Sequence, residues 1–258
     1  MTGFKIIINC GPCQDFIGTC LASVQEQSWT HWNALVTVDP CGDRTYSRAL
    51  DAARGDSRIS VQLNEVRRYS MHNLIHAIRR SNAGPEDVIV SLDGDDWFAT
   101  QDALRTIAEA YESDECWLTY GSWLSNVVGP TGRRNGLWPA YPDGTTDFRG
   151  HRFLATAVRT WKRWLWDYLD DADLRSATGE YVRVSEDQVI MIPLLELCGT
   201  AHIRHIPVAL MTYNKLATYP ADPSITEEGA RNGDLLGQRT RYSPLKQKIY
   251  KETAAGVT

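Results

Sequence analysis

The sequence predicts a single α/β domain in which a Rossmann-like, mostly parallel sheet is flanked by helices. Short runs of β-branched and aliphatic residues, such as 4–9 and 88–92, alternate with segments whose apolar residues recur at helical spacing. The chain has 258 residues, which is enough to bury one sizeable core. Alternation of strands and helices over such a length is typical of open α/β sheets.

Each predicted element rests on a local pattern. Strands are predicted where short apolar or aromatic runs end at polar or turn-forming residues, at 4–9, 34–38, 59–63, 88–92, 116–121 and 205–214. Helices are predicted where apolar residues recur every three or four positions, at 15–27, 71–78, 104–111, 152–169 and 186–198. Residues 124–150 are rich in Gly, Pro, Asn and Thr and predict a long loop, which inside a compact domain is usually functional.

The most informative stretch is 86–97, where an apolar run stops at three acids, Asp93, Asp95 and Asp96. In open α/β sheets, ligands bind at the carboxyl ends of the strands. Carboxylates this close repel each other by about 1 kcal/mol per pair in water and by more inside a protein. A divalent cation carried in with substrate phosphates would offset that repulsion. An exposed acidic turn is the alternative, but the buried run before the acids and Trp97 after them favour metal and phosphate binding.

The net charge is −5, yet basic residues concentrate in two segments. Residues 133–163 contain seven basic residues against two acids, and residues 231–251 contain six against one. This distribution suggests an anionic partner, and two solvated helix faces are the alternative. No apolar stretch approaches membrane-spanning length and no signal-peptide pattern precedes the first strand, so we expect a cytoplasmic protein without a membrane partner.

Six cysteines are present, and only Cys10 and Cys13 form a CxxC pair. No second pair completes a zinc site, so reduced structural thiols are expected.

Five motifs occur in order along the chain: NCGPCQDFIGTCLASVQEQSW, VTVDPCGD, VSLDGDDW, WLTYGSW, and SEDQVIMIPLLELCG followed by MTYN. In this combination the chain resembles family 2 glycosyltransferases with the GT-A fold, from about Phe4 to Asn214. The resemblance implies a GT-A domain over 1–218, with a nucleotide-sugar-binding half at 1–123 and an acceptor-binding half at 124–218. Residues 219–258 would then form a basic C-terminal tail.

The resemblance also implies donor-binding residues. Asp39, the acid after the second strand, would bind the nucleobase, usually uracil, while Cys10, Gly11 and Asp15 would wrap the same base. Tyr120 would line the donor-sugar pocket. From the residues alone, Asp39 could equally cap a turn in DPCGD, and Tyr120 could belong to the core.

The same resemblance implies a metal-binding or catalytic role for each of the acids. Asp95 would bind Mn²⁺ or Mg²⁺ bridging the donor diphosphate, and Asp93 would contact the ribose or the metal. Asp187, with Glu186 beside it, would deprotonate the acceptor hydroxyl for an inverting attack. Asp187 could instead be an N-terminal cap of the helix at 186–198.

The function implied is a metal-dependent, inverting transfer of a sugar, with glucose favoured, from a UDP-sugar to an acceptor hydroxyl. A hydroxymethylated pyrimidine in phage DNA, reached through the segments 133–163 and 231–251, is slightly favoured as acceptor. A cell-surface or capsular glycan, or a small molecule, is the alternative. A non-catalytic nucleotide-sugar-binding module is the rival outside the enzyme class. A haloacid-dehalogenase phosphatase fits less well, because Asp96 and Trp97 stand where that motif needs Thr or Val.

Overall fold

A computed structural model of the chain describes residues 1–129, 136–217 and 223–251. Its strands are β1 (Phe4–Cys10), β2 (Trp32–Val38), β3 (Ile59–Leu63), β4 (Val88–Asp93), β5 (Trp97–Phe98), β6 (Leu118–Ser125), β7 (Arg159–Lys162) and β8 (Ile203–Tyr213). They form one eight-stranded sheet in the order β3-β2-β1-β4-β7-β6-β8-β5. The predicted α/β fold with a mostly parallel sheet is confirmed.

The parallel part of the sheet aligns the ends of the strands that carry the acids. β1 pairs in parallel with β2 and with β4, and β2 pairs in parallel with β3. Cys10 lies opposite Val38 on one side of β1, and Asn9 lies opposite Asp93 on the other. The residues that follow β1, β2 and β4 therefore meet at one edge, where ligands of such sheets bind.

Helices cover both faces of the sheet: α1 (Ile17–Gln25), α2 (Thr45–Ala53), α3 (Tyr69–Arg80), α4 (Ala103–Ala110), α5 (Glu186–Cys198) and α6 (Pro223–Gln238). One core contains the buried side chains of α1, α2 and α4, and the other those of α3 and α5. Successive side chains of β1 alternate between them, since Ile6 and Ile8 join the first core and Ile7 the second. Burial on both faces explains why the strands read as unbroken apolar runs.

The helix predicted at 152–169 is wrong. Residues 159–162 form β7, which pairs antiparallel with both β4 and β6, and a 3-10 helix follows at Arg163–Tyr168. The apolar spacing suits a helix, but a strand here fills the gap between β4 and β6 and satisfies their backbone groups. Trp161 and Thr160 point to opposite faces, and Thr160 shares hydrogen bonds with Tyr111 and Thr119.

The segment after residue 222 contains a regular helix, although its composition is mostly polar. It forms α6 and then packs against α5 through one buried arginine. Arg149 donates from Nε and Nη2 to the Glu196 carboxylate, at 2.7 and 2.8 Å. Its Nη1 donates to the carbonyls of Leu236 and Arg239, at 2.7 and 2.6 Å.

Within the described part of the chain, no helix is both long enough and apolar enough to cross a bilayer. All six cysteines are free thiols in this structure.

Candidate active site

The acidic turn after β4 is held rigidly by backbone and side-chain hydrogen bonds. Gly94 N donates to Asn9 O at 2.9 Å, and Asp96 N donates to Asp93 O at 3.0 Å. Asp96 is buried and its Oδ1 accepts from Asn214 N at 2.8 Å, which fixes the turn to the end of β8. Asp93 stays partly exposed at the sheet edge, while Asp95 is almost buried.

Gly94 is required here because the turn lies directly on the end of β1. A Cβ at this position would collide with Cys10 Sγ and would lie 3.1 Å from Cys13 Sγ and 3.3 Å from Asn9 O. Both thiols are buried, so they form the floor beneath the acids. The CxxC pair therefore packs under the turn, in agreement with the predicted structural role.

A second pair of acids reaches the same edge from the start of α5. Ser185 adopts a left-handed conformation, with φ of 60°, and α5 begins at the next residue. Glu186 and Asp187 thus occupy its first turn, where carboxylates are favoured by the helix dipole. Asp187 Oδ1 accepts from Gln188 N at 2.8 Å, and its side chain remains 31% exposed. Asp187 therefore sits at the helix start and still faces the open edge.

Arg159, on β7, lies among these acids and was not predicted to be part of the site. Its Nη1 is 3.4 Å from Asp187 Oδ2. Burial acts to lower the pKa of Arg159, but Asp187 and Asp93 outweigh it and hold the pKa above its usual value. The only signal in the sequence was a charged residue inside the apolar run 153–161, and assigning that run to a helix concealed its direction.

The acids are not fully compensated by Arg159. Burial, with repulsion from Asp95 and Asp187, raises the pKa of Asp93 to about 6. Burial and repulsion from Asp187 and Asp93 raise the pKa of Glu186 to about 7. Burial and repulsion from Asp93 raise the pKa of Asp96 to about 8, against the hydrogen bond from Asn214. Ionising all of these acids is therefore unfavourable by itself, and a bound cation would favour their charged forms.

The donor atoms fit a hard divalent ion, since Mn²⁺ and Mg²⁺ prefer carboxylate oxygens. Among the described residues, no group of three or more His, Cys, Asp or Glu side chains is arranged to hold a metal by itself. Mg²⁺ sites commonly use one or two carboxylates and complete their coordination with water and substrate phosphates. Asp93 and Asp95 are placed for that arrangement, because they flank Gly94 at the exposed edge.

Asp39 lies at the same edge but its carboxylate already has partners. Oδ1 accepts from Asn64 Nδ2 at 2.8 Å and from Arg68 N at 3.0 Å, and Oδ2 accepts from Tyr69 N at 2.8 Å. These bonds satisfy the free backbone donors at the start of α3. The side chain is buried, so any contact with a base would use the remaining acceptor capacity of the carboxylate. The base-binding role of Asp39 stays a prediction.

The other residues predicted to bind the donor differ in how exposed they are. Gly11 is partly exposed beside the edge, while Cys10 offers only its backbone there, because its thiol lies under Gly94. Asp15 is exposed and 3.6 Å from Arg48. Tyr120 is 1% exposed, and its hydroxyl accepts from Tyr141 N at 2.8 Å. The tyrosine is therefore buried in the core, and its role at the donor-sugar pocket stays a prediction.

The two basic segments are largely neutralised within the fold. In the first, four side chains have acidic partners: Arg149–Glu196, Arg159–Asp187, Lys162–Glu86 and Arg163–Asp167. In the second, four more are paired: Arg231–Glu227, Arg239–Asp173, Arg241–Asp147 and Lys248–Glu86. Arg133 and Arg134 lie outside the described residues. The number of basic residues in the two segments therefore overstates the positive charge that they present on the surface.

The geometry and the sequence lead to the same family. The family model for glycosyl transferase family 2 matches residues 6–168, which include the sheet edge, the acidic turn and Arg159. The chain belongs to glycosyl transferase family 2. The resemblance inferred from the five ordered motifs is thereby confirmed. Comparison with curated protein sequences gave no match.

Solved glycosyltransferase structures share the fold at low identity. S. aureus TarS residues 1–349 in complex with UDP-GlcNAc superposes with a TM-score of 0.62 at 15% identity, covering 88% of this chain and 64% of that one. Mannosyltransferase PcManGT from Pyrobaculum calidifontis, in complex with GDP-Man and Mn²⁺, gives 0.55 at 14% identity, covering 81% and 56%. Against the longer TarS chain, this chain spans 37% of its length. These neighbours confirm the GT-A fold.

Proposed function

We propose that the protein is a metal-assisted, inverting glycosyltransferase that moves a hexose from a UDP-sugar to an acceptor hydroxyl. The observation that carries the proposal is the meeting of two acidic pairs at one sheet edge. Asp93 and Asp95 follow β4, while Glu186 and Asp187 open α5, and Arg159 lies between them. One pair would serve the donor and the other the acceptor. The fold neighbours whose titles name UDP-GlcNAc and GDP-Man with Mn²⁺ support this use of the edge.

Asp93 and Asp95 would hold the metal, with Mn²⁺ or Mg²⁺ stabilising charge on the departing diphosphate when it is bound. Asp187 would accept the proton of the acceptor hydroxyl as its oxygen forms the new glycosidic bond and the bond to UDP breaks. Arg159 orients the Asp187 carboxylate through its 3.4 Å contact. Glu186, with a pKa near 7, is the other group at this edge suited to carry a proton.

For the acceptor, the ion pairs within both basic segments favour a glycan or a small hydroxylated molecule over DNA. A protein that binds a DNA backbone needs several basic side chains free to contact phosphates. Most of the basic side chains counted in the sequence already have acidic partners. The DNA acceptor stays a prediction, and DNA that carries hydroxymethylated pyrimidines belongs in the assay as a competitor to glycans.

The test measures UDP release and product mass with UDP-glucose and UDP-GlcNAc in the presence of Mn²⁺. Asp187→Asn should lower transfer by about 10² to 10⁴-fold, since it removes a general base. Donor binding should be unchanged, because the proposed donor contacts follow β1, β2 and β4 rather than α5. Asp95→Ala should instead lose both metal-dependent donor binding and transfer.

Glu186→Gln is the matched control for the identity of the base. A smaller loss than that of Asp187→Asn supports Asp187, whereas a larger loss transfers the role to Glu186. UDP-sugar binding without UDP release by the wild-type protein, with all donors and acceptors, would establish the non-catalytic binding module.

A further inference from the structure

A cavity of about 550 Å³ lies between α6 and the loop that precedes α5. Its lining comes from residues 176–183 and from four positions of α6, all beyond residue 168, where the family match ends. The volume falls in the range of small-molecule sites. The cavity therefore lies outside the segment that the family model matches.

Helix α6 ties the cavity to the segment that carries the proposed base. Glu228 Oε1 accepts from Arg183 N at 2.8 Å, and Glu228 Oε2 accepts from Arg183 Nε at 2.6 Å. Asn232 Nδ2 donates to Val184 O at 3.0 Å. Arg183 and Val184 lie only a few residues before Asp187. A molecule in the cavity would consequently touch the same short segment that positions the base.

One residue that lines the cavity also contacts the start of α3. The guanidinium of Arg183 lies 5.3 Å from the centroid of the Tyr69 ring. Tyr69 N in turn donates to Asp39, at the end of β2. Arg183 thus connects the cavity lining to the start of α3, next to the expected base site.

The lining matches the hydroxyl groups of an uncharged sugar. Arg183 and Arg231 donate hydrogen bonds, Glu180 and Glu228 accept them, and the amide of Asn232 does both. Their formal charges cancel, so the cavity offers no excess positive charge to a phosphate or carboxylate. The ring of Tyr181 and the side chain of Leu235 add apolar surface, as the C–H faces of a sugar require.

We propose that this cavity binds an uncharged saccharide, as the part of the acceptor next to the hydroxyl that is glycosylated. The assignment of the saccharide as acceptor rests on the proposed function; its binding to the cavity does not. The bound sugar makes hydrogen bonds with Arg231, Glu180 and Asn232 and is directed towards Asp187 by the segment 183–187.

Binding is tested on the full chain with a panel of uncharged mono- and disaccharides, including maltose, cellobiose and lactose, by saturation-transfer NMR in the presence of UDP and Mn²⁺. Thr178→Trp fills the cavity from its exposed rim and should abolish binding. Arg231→Ala should weaken it by about fivefold, the loss of one hydrogen bond. Glu227→Ala is the matched control, since it breaks the same 3.9 Å ion pair from the residue that does not line the cavity.

Saturable binding to the wild-type protein and to Glu227→Ala, but not to Thr178→Trp, supports the cavity. Absence of saturable binding to the wild-type protein, or equal binding by Thr178→Trp, overturns it. Displacement of the saccharide by a short DNA duplex overturns the uncharged class. UDP release without acceptor is measured on the same samples and should be equal in the wild-type protein and Glu227→Ala, whose substituted residue does not line the cavity. If the wild-type protein releases no UDP but binds saccharide at the cavity, the proposed function fails and the site stands.

Discussion

The two halves of the molecule differ in the contacts that stabilise each of them. Residues 4–125 form a parallel sheet whose strands are buried on both faces and joined by short helical connections. Residues 136–251 contain β7, β8, α5 and α6 and contribute much of the second apolar core, and in addition buried charged side chains link distant segments. Arg149 alone connects to Glu196, Leu236 and Arg239. The comparison teaches that local apolar patterns specify the donor half, whereas the second half adds buried ion pairs between residues far apart in the sequence.

The largest effect that would test this contrast is expected at the buried ion pair of the second half. Arg149 and Glu196 are 4% and 3% exposed. Glu196→Ala would leave the arginine charge buried without its partner, so the free energy of unfolding should fall by about 3–5 kcal/mol. Urea denaturation measures it.

The exposed pair Arg54–Asp51 of the first half is the control. Asp51→Ala should change the free energy of unfolding by less than about 1 kcal/mol. Equal effects of the two substitutions would contradict the contrast between the halves.

A smaller effect is expected at Gly94, where the first half has no room for a methyl group. Gly94→Ala should lower the free energy of unfolding by about 1–3 kcal/mol, because the turn must move away from Cys10. The same movement should weaken donor binding. Gly18→Ala is matched to it, because a Cβ on Gly18 meets nothing within 4 Å in helix α1. That substitution should stabilise the protein by about 0.5–1 kcal/mol. Loss of stability from both substitutions would argue against the close contact as the cause.

A further expected effect depends on pH and concerns Asp96. Its pKa is about 8 in the folded protein and near 3.9 in an unfolded chain. A raised folded pKa means that the unfolded state releases the proton first, so this acid costs stability increasingly from about pH 4 to about pH 8.

Asp96→Asn keeps an acceptor for Asn214 N and removes that cost. Without metal, the free energy of unfolding of the variant should rise relative to that of the wild-type protein, by at most about 1.4 kcal/mol for each pH unit in this range. Denaturation curves between about pH 5 and about pH 7 measure the difference. A difference that does not change with pH would mean that Asp96 is ionised in the folded protein.

The predictions made from sequence succeeded where the pattern was local. Apolar runs placed β1, β2, β3 and β4, and the acids that end β4 lie at the sheet edge as expected. Helix α2 was missed because only Thr45 and Ala49 of its residues are buried, which leaves almost no apolar stripe to detect. Position 120 was predicted to face the donor, yet the chain packs Tyr120 against Tyr141 in the core.

The sequence by itself therefore determined the fold class, the family and the two acidic pairs, because buried strands and ordered motifs are readable along the chain. The tertiary structure decided the rest, because it depends on which distant residues meet. It turned 159–162 into a strand between β4 and β6, which brought Arg159 among the acids. It also paired most of the basic residues with acids and formed the cavity beside α6. Charge pairing across the fold cannot be read from charge counts along the chain.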